Sequence, residues 1–304
     1  MKISRRTLIL GGVAGLQAQQ TPTFSTDVKV VTLLATVRDK DGRVVTGLEK
    51  DDFVVQEQGV AQKILYFARE TDLPLMIGLL VDTSRSQRGV LEQERRASFT
   101  FLDRVLRPDR DQAFVASFDV RVEITQSLTS SRDKLRSALG RLEIPSRFAT
   151  LIFSAVQQCS ETVMRKQQGR KAFVLLSDGV AFRDHTSIGT AIEFAQRADT
   201  IIYTIWFSDH IARYHPLKGP LTAGKERGKQ ALERLASETG GTAYDVEKGK
   251  SIEAIFAEIE EALRHQYSIG YTPAGSLGAG YRKVKVTTKN PRLTVHTRDG
   301  YYAN

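Results

Sequence analysis

The sequence predicts an α/β protein: a doubly wound, mostly parallel, Rossmann-like sheet with helices on both faces, plus a small β module built from both ends of the chain. Three observations predict it. Short, continuously apolar runs at 75–82, 112–118, 172–177 and 200–207 suit strands buried on both faces. Stretches with apolar residues at helical spacing lie between them. Segments rich in valine and threonine, loosely alternating in polarity, stand before the first run and after the last helix.

Residues 1–18 read as an export signal. Lys2, Arg5 and Arg6 make a positive start, Thr7 to Leu16 an apolar core, and Gln17-Ala18 the end of a cleavage region. Ser4-Arg5-Arg6-Thr7-Leu8-Ile9 is similar to a twin-arginine signal, with Sec export as the alternative. The apolar run is too short and glycine-rich for a stable membrane span, so an exported periplasmic or extracellular protein of bacterial type is expected. Three of the excess positive charges behind the net charge of +9 lie in this segment. The remaining Lys and Arg are interspersed with acids, with no aromatic-interleaved basic stripe, which argues against a nucleic-acid partner.

Residues 19–71 form an N-terminal β segment. Val28 to Arg38 reads as a strand, Asp39-Lys40-Asp41-Gly42 as a turn, and Val44-Val45, Phe53 to Glu57 and Ile64 to Phe67 as further short strands. The pattern changes at Asp72-Leu73-Pro74. Over 72–265, strands at 75–82, 112–118, 121–126, 172–177, 200–207 and 242–246 alternate with amphipathic helices. Their apolar faces include Leu91, Ser98, Phe101, Leu102 and Val105; Leu135, Ala138, Leu139 and Leu142; and Ile252, Ile255, Phe256, Ile259 and Leu263. Residues 266–304 return to β character. Lys283 to Thr288 and Leu293 to Thr297 look like a hairpin, and these late strands are expected to pair with residues 28–69. The single cysteine, Cys159, falls on the apolar face of a helix, which excludes an intrachain disulfide and a cysteine-based zinc site. The 304 residues, 41% of them hydrophobic, suffice for a full core without such staples.

Chemistry concentrates where the first apolar run ends, at Asp82-Thr83-Ser84-Arg85-Ser86. Loops at the carboxyl ends of parallel strands are where open α/β sheets bind ligands. Here one carboxylate and two hydroxyls come within reach of one point, an oxygen set suited to Mg2+, with Mn2+ or Ca2+ as alternatives. A turn capping the next helix would use the same residues. Two further candidates stand on suitable elements. Phe173-Val174-Leu175-Leu176-Ser177-Asp178-Gly179 is a second apolar strand ending in an acid, and Thr150 opens the helix 150–165 as cap or ligand.

In this order the residues resemble the metal-ion-dependent adhesion site of von Willebrand factor type A domains, over residues 72–265. The resemblance implies that Asp82, Ser84, Ser86, Thr150 and Asp178 surround a divalent ion, some through water, and that a partner carboxylate completes its shell. The flanks are similar to the bacterial group called VWFA-related proteins: Val44-Val45-Thr46-Gly47-Leu48, Asp51-Asp52-Phe53-Val54-Val55, Leu232 to Gly241, Gln266 to Pro273, and Arg298-Asp299-Gly300-Tyr301. Two departures stand out. Phe148-Ala149 precede Thr150 where the family often has Gly-Gly or Gly-Thr, and Ser154 replaces an aspartate common four residues after the threonine. Arg85 and Arg88 lie beside the loop.

No Gly-x-Ser-x-Gly, His-Glu-x-x-His or Walker A sequence is present. His210 and His215 have weak zinc spacing, and His185, His265 and His296 are scattered. The expectation is therefore a metal-dependent binding or adhesion module for a protein or anionic polymer that presents a carboxylate, not an enzyme. An envelope scaffold with an unused site is the alternative, and a metal-assisted hydrolase the third.

Overall fold

The computed structural model describes residues 30–303 apart from 71–72, 147, 208–213, 216–218, 221, 247–248 and 275–277. The export signal and His210 lie outside the described residues. Four strands come first: β1 (Val31–Arg38), β2 (Phe53–Glu57), β3 (Val60–Gln62) and β4 (Ile64–Glu70). The central region runs β5 (Leu75–Asp82), α1 (Leu91–Val105), β6 (Gln112–Phe118), β7 (Val122–Thr129), α2 (Arg132–Gly140), α3 (Ile152–Thr162), β8 (Arg170–Ser177), α4 (Ile188–Arg197) and β9 (Thr200–Trp206). It continues through a short pair, β10 (Tyr214–His215) and β11 (Gly219–Pro220), to α5 (Thr222–Thr239), β12 (Ala243–Asp245) and α6 (Ile252–Arg264). The chain closes with β13 (Gln266–Tyr271), β14 (Gly280–Thr288), β15 (Thr294–His296) and β16 (Gly300–Ala303).

The central sheet has the order β12-β9-β8-β5-β6-β7. All pairings are parallel except that of β7 with β6. Alternation along β5 sorts the two faces. Leu75, Ile77, Leu79 and Val81 bury against Phe101 and Leu102 of α1, Leu135 of α2, and Ile255 and Ile259 of α6. Leu80 faces the other way, into a core shared with Val156 and Cys159 of α3, Ile192 of α4 and Leu235 of α5. The sheet is thus covered on both faces, as a continuously apolar strand requires. Cys159 is fully buried, and burial pushes its thiol up to about 12, so it packs as a small apolar group.

Gly78 is needed at the centre of β5. The rings of Phe114 and Phe173, from the strands on either side, meet edge to face at 6.2 Å. A Cβ on Gly78 would lie 2.5 Å from the Phe114 ring and 2.6 Å from Phe173. Two large aromatics are accommodated by leaving a side chain out between them.

The terminal segments do combine. They form two antiparallel four-stranded sheets, β15-β1-β13-β4 and β16-β14-β2-β3. Leu33, Val55, Tyr267, Ile269, Val284 and Val286 fill the space between them. Buried Glu57 accepts from Tyr271 Oη (2.7 Å), Tyr301 Oη (3.1 Å) and Arg282 Nη1 (2.8 Å), which satisfies its charge inside this core. One expectation fails here. Segments 283–288 and 293–297 do not form a hairpin: β14 pairs with β2 and β16, whereas β15 pairs with β1. The connection crosses from one layer to the other, so that Val284, Val286 and Val295 meet in the shared core. Val44 makes only an isolated bridge to Arg38.

The two parts are joined by polar contacts. Arg38 donates to Tyr244 Oη (2.9 Å), and Arg298 reaches both Asp199 (2.7 Å) and the Thr32 carbonyl (2.8 Å). Among the described residues no helix is long and apolar enough to cross a membrane.

Candidate metal centre

The strand order reverses beside β5: the chain goes from β5 to β6 on one side and returns with β8 on the other. Crevices at such switch points, beyond the carboxyl ends of the strands, are the ligand sites of doubly wound sheets. Asp82 ends β5, and Asp178 follows the last residue of β8. Val81 and Leu176 are in register, which sets Asp82 beside Ser177.

Asp82 is fully buried and held from two directions. Ser177 Oγ donates to its Oδ2 at 2.6 Å, and the Ser84 N–H donates to its Oδ1 at 2.8 Å. Ser177 in turn accepts from the Gly179 N–H at 3.0 Å. After Asp82 the chain makes one tight turn, Arg85–Gln87, before α1. That turn brings Ser84 Oγ and Ser86 Oγ to 3.0 Å from each other.

Asp178 is positioned through both its backbone and its side chain. Its carbonyl accepts from Trp206 Nε1 at 3.0 Å, and its Oδ1 accepts from the Val180 N–H at 3.0 Å. Gly179 takes φ +78°, where a Cβ would run into the Gly228 carbonyl of α5. Glycine is required there for both reasons. Thr150 is tied across the cleft by two backbone bonds with Phe182, at 2.9 and 3.1 Å.

Four of the predicted residues, Ser84, Ser86, Thr150 and Asp178, line one cleft of about 610 Å3. Asp82 is fully buried and does not line the cleft, but it is bonded to the Ser84 N–H. All five are therefore brought to one place. Burial first, and then the Asp178 carboxylate, push Asp82 up to about 7, against the pull of its hydrogen bonds. Two acids this close, with no ion pair to Asp82 among the described residues, call for a positive charge. Three neutral hydroxyls complete an all-oxygen donor set, which fits a hard divalent cation. No group of three or more His, Cys, Asp or Glu gathers to hold an ion among the described residues.

Three features of the site were not identified from the sequence. Glu94, one turn into α1, is fully buried, and neither carboxylate oxygen has a hydrogen-bond partner. Burial, with Asp82 and Asp178 adding to it, holds its carboxyl well above the usual range. The signal was available, because Glu94 falls on the apolar face of Leu91, Ser98, Phe101 and Leu102. Asp184 is the second. It accepts from the N–H groups of Phe153 (2.7 Å) and Ser154 (3.2 Å) and from Ser154 Oγ (2.6 Å). The carboxylate missing at Ser154 is thus supplied from another loop, where it also caps α3. The third is aromatic. Phe148 and Phe182, 56% and 50% exposed, stand at the cleft mouth. Arg85 lies over the Phe148 ring at 4.6 Å.

A mostly parallel sheet with oxygen donors at its switch point defines a class of ligand-binding α/β domains. Residues 77–258 match the von Willebrand factor type A domain, more than half of the chain, and the protein belongs to that family. Domains of this family generally serve binding and adhesion rather than catalysis. No curated protein matches the chain.

Among solved structures, the chain is similar to proximal thread matrix protein 1 from the mussel byssus, at 17% identity and a TM-score of 0.52. That match covers 69% of this chain and 51% of the mussel protein, so the chain spans about half its length. A second structure of the mussel protein, with a zinc-occupied MIDAS motif, aligns at 16% identity and TM-score 0.51 over 69% of this chain and 50% of that one. An aerotolerance-related membrane protein from Bacteroides fragilis aligns at 15% identity and TM-score 0.47, over 63% of this chain and 98% of that chain.

Proposed function

We propose that the protein is an exported, metal-dependent binding module. Asp82, Ser84, Ser86, Thr150 and Asp178 would hold one divalent cation, Mg2+ or in its place Mn2+ or Ca2+. The observation that carries this reading is the pairing of Asp82 and Asp178 at adjacent strand ends, with Asp178 and three hydroxyls lining one cleft and Asp82 buried beneath it, bonded to the Ser84 amide. When bound, the cation supplies a Lewis-acidic centre that accepts an acidic oxygen from a protein or polymer partner. The chain's own residues orient that centre: Ser177 and the Ser84 amide fix Asp82, and Trp206 fixes the loop of Asp178. Two carboxylates leave an ion's demand for negative oxygen unmet, which favours a third from outside. No nucleophile or general base is placed beside them by a recognisable motif, so binding is the reading and turnover is not. Export rests on the composition of residues 1–18.

Calorimetric titration with MgCl2 and thermal melting with and without chelator test the site. Wild-type protein should release or absorb heat and melt higher in Mg2+, whereas Asp178→Ala should do neither. Absence of both effects in the wild type would remove the metal from the reading.

A further inference from the structure

The cleft has a rim that the five oxygen donors do not explain. Phe148 and Phe182 are the exposed phenylalanines among the described residues, on separate loops. The two backbone bonds between Thr150 and Phe182 lock these loops together, so the rings keep their place beside the cleft. Leaving two such rings in water forgoes burial that each could contribute, and paired exposed aromatics mark contact surfaces. Each ring carries a guanidinium, Arg85 at 4.6 Å from the Phe148 centroid and Arg183 at 5.3 Å from that of Phe182. Neither arginine forms an ion pair among the described residues. A second hollow, lined by Phe148, Ala149, Leu151, Arg183 and His185, continues the surface beyond the Phe148 ring.

The apolar and cationic parts of this rim ask different things of a partner. The rings need a hydrocarbon side chain, and the arginines need a carboxylate beyond the one that enters the cleft. We propose that the rim selects an acidic protein segment: an Asp or Glu that enters the cleft, followed within two positions by an aliphatic or aromatic residue and a second acid. The proposal rests on the reading of the cleft given above and names the partner class for that site. An anionic polysaccharide fits less well. It offers acids but no apolar side chain for the two exposed rings.

The test uses the full chain and fluorescent, acetylated hexapeptides with a central Asp, read by anisotropy in Mg2+ and in chelator. Peptides that continue Asp-Leu-Ala should bind about tenfold more tightly than those that continue Asp-Ala-Ala, as burial of one leucine on the rings implies, and those that continue Asp-Leu-Glu more tightly still. Continuation as Asp-Lys-Lys should be weakest. The double variant Phe148→Ala with Phe182→Ala should lose the leucine preference and keep its melting temperature, since both rings are at the surface. Arg85→Ala with Arg183→Ala should lose the preference for the second acid. A leucine preference that survives chelator and Asp178→Ala would support the rim while removing the cation from the earlier reading. Equal binding of all flanks, no binding of any peptide, or tighter binding of oligogalacturonate than of every peptide would overturn the proposal.

Discussion

Ser177 Oγ donates a 2.6 Å hydrogen bond to Asp82 Oδ2 across the junction of two parallel strands. The bond links the first acid of the site to the strand that delivers the second, and Ser177 passes it on by accepting from the Gly179 amide. One hydroxyl thereby sets the position of Asp82 and the turn that follows Asp178.

Ser177→Ala should weaken both. A buried carboxylate loses a donor and a buried amide loses its acceptor, so metal-free stability should fall by about 1–3 kcal/mol. The Mg2+-induced rise in melting temperature should shrink as well. Urea denaturation in chelator, repeated in Mg2+, reads the two effects separately.

The pH dependence of the metal-free protein has a defined sign. Asp82 is raised to about 7 from an ordinary 3.8, so between those values the folded state holds a proton that the unfolded state has released. Stability from this group is complete below about pH 4 and is lost as pH rises towards 7, on the order of a few kcal/mol. Glu94 is shifted in the same direction by burial and adds to the slope. Melting temperatures in chelator should therefore drop from pH 5 to pH 7.5. Asp82→Asn should flatten that decline and melt higher than wild type at pH 7.5. A flat wild-type profile would contradict the assignment.

Glu94→Leu should stabilise the metal-free protein at pH 7.5 by about 1–3 kcal/mol, since it removes a buried acid without hydrogen-bond partners from the vicinity of two others. In saturating Mg2+ the gain should be smaller. Chemical denaturation with and without the ion measures the difference.

Asp184→Ala should cost about 1–2 kcal/mol, because the first turn of α3 loses the acceptor for two of its amides. Ser154→Asp in that background should restore part of the loss by capping the helix from within. If the single variant melts like wild type, Asp184 does not hold the loop.

Much of the fold was legible along the chain. The runs at 75–82 and 172–177 are apolar on every residue because helices cover both faces, and only their last positions turn polar because the sheet ends there. The candidate residues were picked out by position: Asp82 and Asp178 stand where β5 and β8 end, and Ser84, Ser86 and Thr150 in the segments that lead into α1 and α3. Local pattern could not assign partners to strands of equal character. β14 and β15 are close in sequence and read as a hairpin, yet each finds its partner in a different sheet. Ser154 read as a loss of charge because its compensating acid, Asp184, is 30 residues away.

By itself the sequence determined the α/β class, the alternation of strands and helices in the central region, and the family, since these depend on residue type at short spacing. Only the tertiary structure decided that Ser177 holds Asp82, that Glu94 is shut in without a partner, and that Phe148 and Phe182 flank one mouth. The physical reason is that hydrogen bonds, burial and desolvation act between residues adjacent in space. In this protein those residues come from strands, loops and the start of α1, brought together only at the switch point of the sheet.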